Sequence, residues 1–155
     1  MKFHPSGKYI FVLNELELSV TAFVYHVDHG KMTGFWTTPT VPDEEKSKER
    51  FVSASEIRVH PNGKFIYAAN RGHDTITALA FDEEKARMTV IEREPVRGSW
   101  PRNFNLDPSG RWLLAAGRDS NTIALFEIDQ NTGELTYART TIAVPTPICV
   151  EISQP

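Results

Sequence analysis

The stretch HPNGKFIYAANRGHDTI, residues 60–76, sets a Pro-x-Gly-basic turn ahead of a short apolar run that ends in Arg, His and Asp. Proline presets φ inside a tight turn, and glycine supplies a positive φ without steric cost. The run FIYAAN has the length and composition of a strand buried on both faces. Close copies of this first half occur at HPSGKYIFVLNE, residues 4–15, and at DPSGRWLLAAGR, residues 107–118. The turn prolines are Pro5, Pro61 and Pro108, at intervals of 56 and 47 residues. Each copy continues with a glycine (Gly7, Gly63, Gly110) and a base (Lys8, Lys64, Arg111). A β-branched residue then recurs at Val20, Ile76 and Ile123. The longer first interval is read as a loop inserted at about 43–53, and its DEEKSKERF charge run as a solvated excursion.

Two further runs follow each apolar strand. SVTAFVYHV, TITALAFD and NTIALFEID come first; KMTGFWTT, RMTVIERE and ELTYARTT follow after turns. SEIRV and RNFNL precede the second and third Pro-x-Gly turns as one more candidate strand. Four antiparallel strands per repeat of this length are the content of a β-propeller blade, so the fold is read as all-β. With strands A to D counted outward from the axis, the chain reads BCD-ABCD-ABCD-A. The expected bounds are about 1–42, 54–98 and 99–145 for three blades, with a closing strand at about 147–152 that aligns PTPICVEI with WPRNFNL. Propellers hold four to eight blades, and an open blade leaves an unpaired edge and an uncovered apolar face. The expected partner is therefore either a second copy, forming a homodimer that closes a six-bladed ring, or the N-terminal blades of a longer propeller.

The 155 residues carry 17 basic and 20 acidic side chains, a net charge of −3. That balance argues against duplex nucleic-acid binding, which needs a basic face. No run is long enough to span a membrane, and the single cysteine, Cys149, favours a cytoplasmic protein over a disulfide-built secreted one. CxxC, HExxH, GxGxxG and Walker-type motifs do not occur, so neither a metal nor a cofactor is expected.

In an antiparallel meander the Pro-x-Gly turn joins A to B at one rim. The end of B and the start of A then share the opposite rim. Glu15, Arg71 and Arg118 are equivalent positions at the end of B; Glu56, Arg102, Asn103 and Cys149 stand near the start of A. Glu56, Asn103 and Cys149 share a strand parity that turns them toward the central channel, with Cys149 read as a small buried filler. Shared scaffold turns, with unlike polar residues at the other rim, are what a pocket built from several blades looks like. The residues by themselves describe a polar rim that tolerates anions. Bland roles compete: Arg71 pairing with Asp74, Arg102 packing on Trp100, and His4 and His60 capping their turns.

The phrases FHPSGKYIFVLNELELSVTAF, SASEIRVHPNGKFIYAANRGHDTITAL and WPRNFNLDPSGRWLLAAGRDSNTIALFEID, with TGELT and VPTPICV, resemble the lactonase family of seven-bladed propellers. That family contains bacterial 6-phosphogluconolactonases and fungal carboxymuconate-lactonising enzymes. The resemblance covers essentially all 155 residues and corresponds to the C-terminal part of the family pattern. The family's N-terminal blades, with a histidine-bearing segment implicated in catalysis, have no counterpart here. The resemblance implies a hydrolase of carbohydrate metabolism acting on a sugar-acid δ-lactone or sugar phosphate. It points to Glu15 and Arg71 as catalytic, with Glu15 as a base and Arg71 or Arg102 at the oxyanion. It adds His73, in the rim phrase NRGHD, and Arg102, in PRNF, to Asn103, Glu56 and Arg118 as substrate-binding positions. Arg118 replaces a neutral polar residue expected in the family. A muconate-type lactonising isomerase and a non-catalytic interaction scaffold are the alternatives.

Overall fold

The computed structural model describes residues 1–46 and 51–153. Twelve strands form three four-stranded antiparallel sheets among these residues. The first contains β1 (Lys2–Phe3), β2 (Tyr9–Asn14), β3 (Ser19–His26) and β4 (Lys31–Pro39). The second contains β5 (Ser53–Val59), β6 (Phe65–Arg71), β7 (Thr75–Asp82) and β8 (Arg87–Pro95). The third contains β9 (Pro101–Leu106), β10 (Trp112–Gly117), β11 (Thr122–Ile128) and β12 (Leu135–Ala143). Each strand pairs with the next in sequence, as in a propeller blade.

The repeat extends to its irregularities. The ladder between the third and fourth strand of every sheet shifts register at one equivalent place: Ala22/Phe23, Ala78/Leu79 and Leu125/Phe126. A bulge there bends the outer edge and increases local twist, which fits the splayed outer half of a blade. Leu18, Asp74 and Asn121, also equivalent, each take a positive φ in the turn between the second and third strands.

Apolar side chains fill the two gaps between sheets. Phe11, Val20 and Ala22 meet Ile57, Ile66, Ala68, Leu79, Phe81 and Met88 between the first and second. Phe65, Tyr67, Ala69 and Ile76 meet Phe104, Leu113, Ala115, Ala124 and Phe126 between the second and third. The middle strand β6 is buried along its whole length because it faces a gap on either side. Its continuous apolar run, without alternation, reflects that placement.

Two elements differ in form from the sequence reading. The inner strand of the first sheet exists, but only as the two-residue β1, paired with Ile10 and Phe11. The segment 147–152 forms no strand ladder. Among the described residues no strand pairs with it, and side chains of β9 hold it. Val150 N donates to Asn103 Oδ1 at 2.9 Å, and Asn105 Nδ2 donates to the Val150 carbonyl at 3.0 Å. Cys149, in the same segment, is exposed rather than a buried filler. In the inserted loop, Asp43–Lys46 forms a single helical turn, while 47–50 lie outside the described residues. Among the described residues no helix is long and apolar enough to cross a membrane.

The histidines before the turn prolines cap those turns and also tie the blades together. His60 Nδ1 accepts from Asn62 N, while Nε2 reaches the Gly110 carbonyl of the next sheet at 2.8 Å. His4 repeats both contacts, with Ser6 N and with the Gly63 carbonyl at 3.1 Å.

Candidate functional site

The rim opposite those turns gathers the polar residues of all three sheets. Arg71 ends β6 with only 8% of its surface exposed. Its Nη2 donates to the Glu15 carboxylate of the first sheet and to the Ala54 carbonyl of β5 at 2.8 Å. Its guanidinium carbon also lies 5.8 Å from the centre of the Trp100 ring, at the entrance to the third sheet. Arg71 thus touches all three blades. Its partner acid is Glu15 and not Asp74, because Asp74 Oδ1 already accepts from Gly72 N and from Trp100 N at 2.8 Å. That clamp pins the Trp100 backbone, at φ 56°, beside the Arg71 turn.

Arg118 approaches the same indole, 5.2 Å from its centre, and pairs with Asp119 at 2.6 Å. Their hydrogen bond holds the Asp119 carboxyl below its usual range and raises Arg118. Trp100 is therefore a hub for two guanidiniums, the arrangement its π-face favours. Sequence reasoning offered it only as a packing surface for Arg102; the spacing of Trp100 from Arg71 and Arg118 gives no local signal, since the contact is made across blades. Arg102 itself is exposed and makes no hydrogen bond or ion pair among the described residues.

His73 is turned toward the inserted loop. Nε2 meets Glu45 Oε2 at 2.7 Å and Nδ1 meets Thr75 Oγ1 at 2.8 Å. Glu56 and Asn103 are joined directly, Nδ2 to Oε2 at 2.7 Å, where β5 and β9 run side by side. Glu56 Oε1 pairs with Arg58 at 2.6 Å, and Arg58 Nε bonds Asn105 at 3.0 Å. With Val150 on Asn103 Oδ1, this ladder ties the inner strands and engages both polar atoms of Asn103. The structure therefore brings Arg71 and Arg118 together at Trp100, with Glu15 held on Arg71. It places Glu56 and Asn103 in the inner-strand ladder and His73 under the inserted loop.

Open grooves of about 650 and 510 Å³ lie at the opposite rim, lined by the turn and hairpin residues Ser109, Arg111, Lys64 and Asp82 among others. They contain none of the residues above. Among the described residues no group of three or more His, Cys, Asp or Glu side chains is placed to hold a metal ion.

A family model described as lactonase, seven-bladed β-propeller, matches residues 1–152. The Bacillus subtilis 6-phosphogluconolactonase is 35% identical over 149 residues, which cover 96% of this chain and 42% of that protein. A solved structure from Bacteroides uniformis matches with a TM-score of 0.86 at 33% identity, over 97% of this chain and 41% of the other. The periplasmic gluconolactonase of Pseudomonas aeruginosa matches with a TM-score of 0.82 at 26% identity, over 94% and 39%. The chain thus spans less than half the length of these relatives. Three stacked four-stranded sheets, the repeated irregularities and the match over residues 1–152 agree: the chain belongs to the lactonase family of seven-bladed β-propellers.

Proposed function

We propose that the Glu15–Arg71–Trp100 rim is part of the active site of a carbohydrate lactonase of the 6-phosphogluconolactonase type, working in an assembled propeller. The observation that carries the reading is Arg71 Nη2, which fixes one carboxylate oxygen of an otherwise exposed glutamate. Glu15 Oε2 makes no hydrogen bond among the described residues and is left to take a proton from water. The activated water adds to the lactone carbonyl carbon, and the ring C–O bond then breaks. The departing ring oxygen takes up a proton, giving the open hydroxy acid.

The charge distribution divides the work between the arginines. Arg71 is buried and committed to Glu15 and Ala54, so its role is to orient the base. Arg102 is exposed and unpaired among the described residues, which suits it to the developing oxyanion or to a substrate phosphate. Arg118 is paired with Asp119 and lies over the same Trp100 ring as Arg71. Named relatives acting on gluconolactones support this substrate class.

The test is hydrolysis of 6-phosphoglucono-δ-lactone by the purified protein, followed by proton release. The expected result is a rate above spontaneous hydrolysis that Arg71→Ala reduces at least about a hundredfold. A rate that Arg71→Ala leaves unchanged overturns the proposal, as does the ultraviolet change of muconate lactonisation in place of hydrolysis.

A further inference from the structure

At the site rim, the joint between the first and second sheets is built differently from the joint between the second and third. Both share one backbone bond: Thr40 N donates to the Leu18 carbonyl at 2.7 Å, and Val96 N to the Asp74 carbonyl at 3.0 Å. At the second joint the link is short, 96–100, and the Asp74 carboxylate adds its bond to Trp100 N. Leu18 stands at the Asp74 position of the first joint and has no side-chain acceptor, so that bond has no counterpart there. The first joint instead has the longer link, 40–52, with Leu18 buried against Val41 and Ala54.

This longer link grips both turns that carry the Glu15–Arg71 pair. In the turn after β2, the Glu17 carbonyl accepts from Lys46 Nζ at 3.2 Å, and the Glu15 carbonyl accepts from Ala54 N, just past the link, at 2.8 Å. In the turn after β6, His73 Nε2 meets Glu45 Oε2 at 2.7 Å. Gly72, at φ 82°, lies so close to the Phe51 carbonyl that an added Cβ would strike it. The Thr40 carbonyl, at the start of the link, is fixed by Thr77 Oγ1 and Arg93 Nε, each at 2.7 Å. Glu45 and Lys46 are neighbours in the single helical turn Asp43–Lys46. One step of backbone therefore connects His73 on the second sheet to the Glu17 carbonyl on the first.

We infer, resting on the reading of Glu15 as the base, that Glu45, Lys46 and His73 are positioning residues. The helical turn splints the Glu15 turn to the Arg71 turn, and His73 anchors that splint instead of touching substrate. Glu15 depends on such support. Its side chain is 61% exposed, and its carboxylate has one hydrogen bond among the described residues, from Arg71 across the joint. A base on one blade and its orienting guanidinium on the next keep their geometry only as well as the joint does. A displacement of about 1 Å at a reacting group can cost on the order of a hundredfold in rate. The lysine ammonium on a backbone carbonyl and the carboxylate on an imidazole are charge-assisted contacts suited to holding that geometry.

Amide hydrogen exchange and lactone hydrolysis by the same variants test this. Glu45→Ala and His73→Phe should each speed exchange at Ala54 N, which bonds the Glu15 carbonyl, by about tenfold or more. Val144 N, which bonds the Asn121 carbonyl in the third sheet, should exchange as in wild type. Glu45→Gln keeps an acceptor for His73 and should restore most of the protection. Lys46→Met, which keeps the stem and removes the bonds to Glu17 and Asp43, should act in the same direction as Glu45→Ala. In turnover, Glu45→Ala and His73→Phe should each lower kcat by about tenfold with KM little changed, and together lose no more than the larger single loss. Exchange needs no turnover: a wild-type chain without lactonase activity would refute the reading of the site, and Ala54 N would still decide the splint. Three outcomes overturn the inference. Exchange at Ala54 N stays at the wild-type rate in both variants; or it rises while kcat is unchanged; or His73→Phe raises KM and Glu45→Ala does not, which would make His73 a substrate ligand.

Discussion

Gly63 and Gly7 have nearly the same backbone, φ 76° and 72°, but only Gly63 has an imidazole against it. Alanine at either position carries the same left-handed strain, so the difference between the two variants isolates the contact between blades. Gly63→Ala should destabilise the protein by about 1–3 kcal/mol more than Gly7→Ala, read from urea unfolding midpoints. Equal losses would mean that the His4 ring moves aside freely. This contact shows where a sequence stops being readable. Turn capping by His4 and His60 follows from local spacing and is present. Their second bond, into the next blade, depends on how sheets stack and has no local signature. The same limit explains Arg71: Asp74 is its neighbour in sequence, yet Glu15 is its partner in space.

The four-strand pattern was legible at the scale of elements because each strand carries its own periodicity and each turn its own proline and glycine. The edges were not. β1 is two residues long, and 147–152 loses its ladder, because pairing there depends on chain that stands beside the segment and not on its composition. Contacts between elements also carry a pH signature. Glu92 on β8 accepts from Leu135 N at the start of β12, where burial pushes its carboxyl up, the Leu135 bond works against this, and Glu94 and Glu134 add to the rise. A carboxyl raised on folding binds its proton more tightly in the native state. Its contribution is present below the unfolded value and is lost as pH rises through the folded one. Glu92→Gln keeps an acceptor oxygen for Leu135 N and removes the buried charge. Thermal unfolding near neutral pH should therefore occur at a higher temperature in Glu92→Gln than in wild type, with the gain vanishing below the ordinary carboxylate range. A midpoint that is unchanged or lower at neutral pH would contradict this.

Across the whole molecule, the proposed site resides in no single blade. Glu15 comes from the first sheet, Arg71 from the second, and Trp100, Arg102 and Arg118 from the third. Repeated strands supply the stacking, and the ends of the second strands supply Glu15, Arg71 and Arg118 to one rim. Of the candidate residues, sequence reading assigned Glu15, Arg71 and Arg118 to that rim through their equivalent positions, and Arg102 through its place at the start of an inner strand. It did not foresee that Glu56 and Asn103 bond each other across blades, or that His73 meets the inserted loop. Those partners are fixed by stacking offsets and by an insertion that the repeat does not encode. The most direct measurement is a double-mutant cycle on kcat/KM for lactone hydrolysis, with Glu15→Gln, Arg71→Ala and the two combined. If Arg71 acts by orienting Glu15, the double variant should lose little more than Glu15→Gln alone. Losses that multiply, or single variants that retain wild-type rates, would contradict the account.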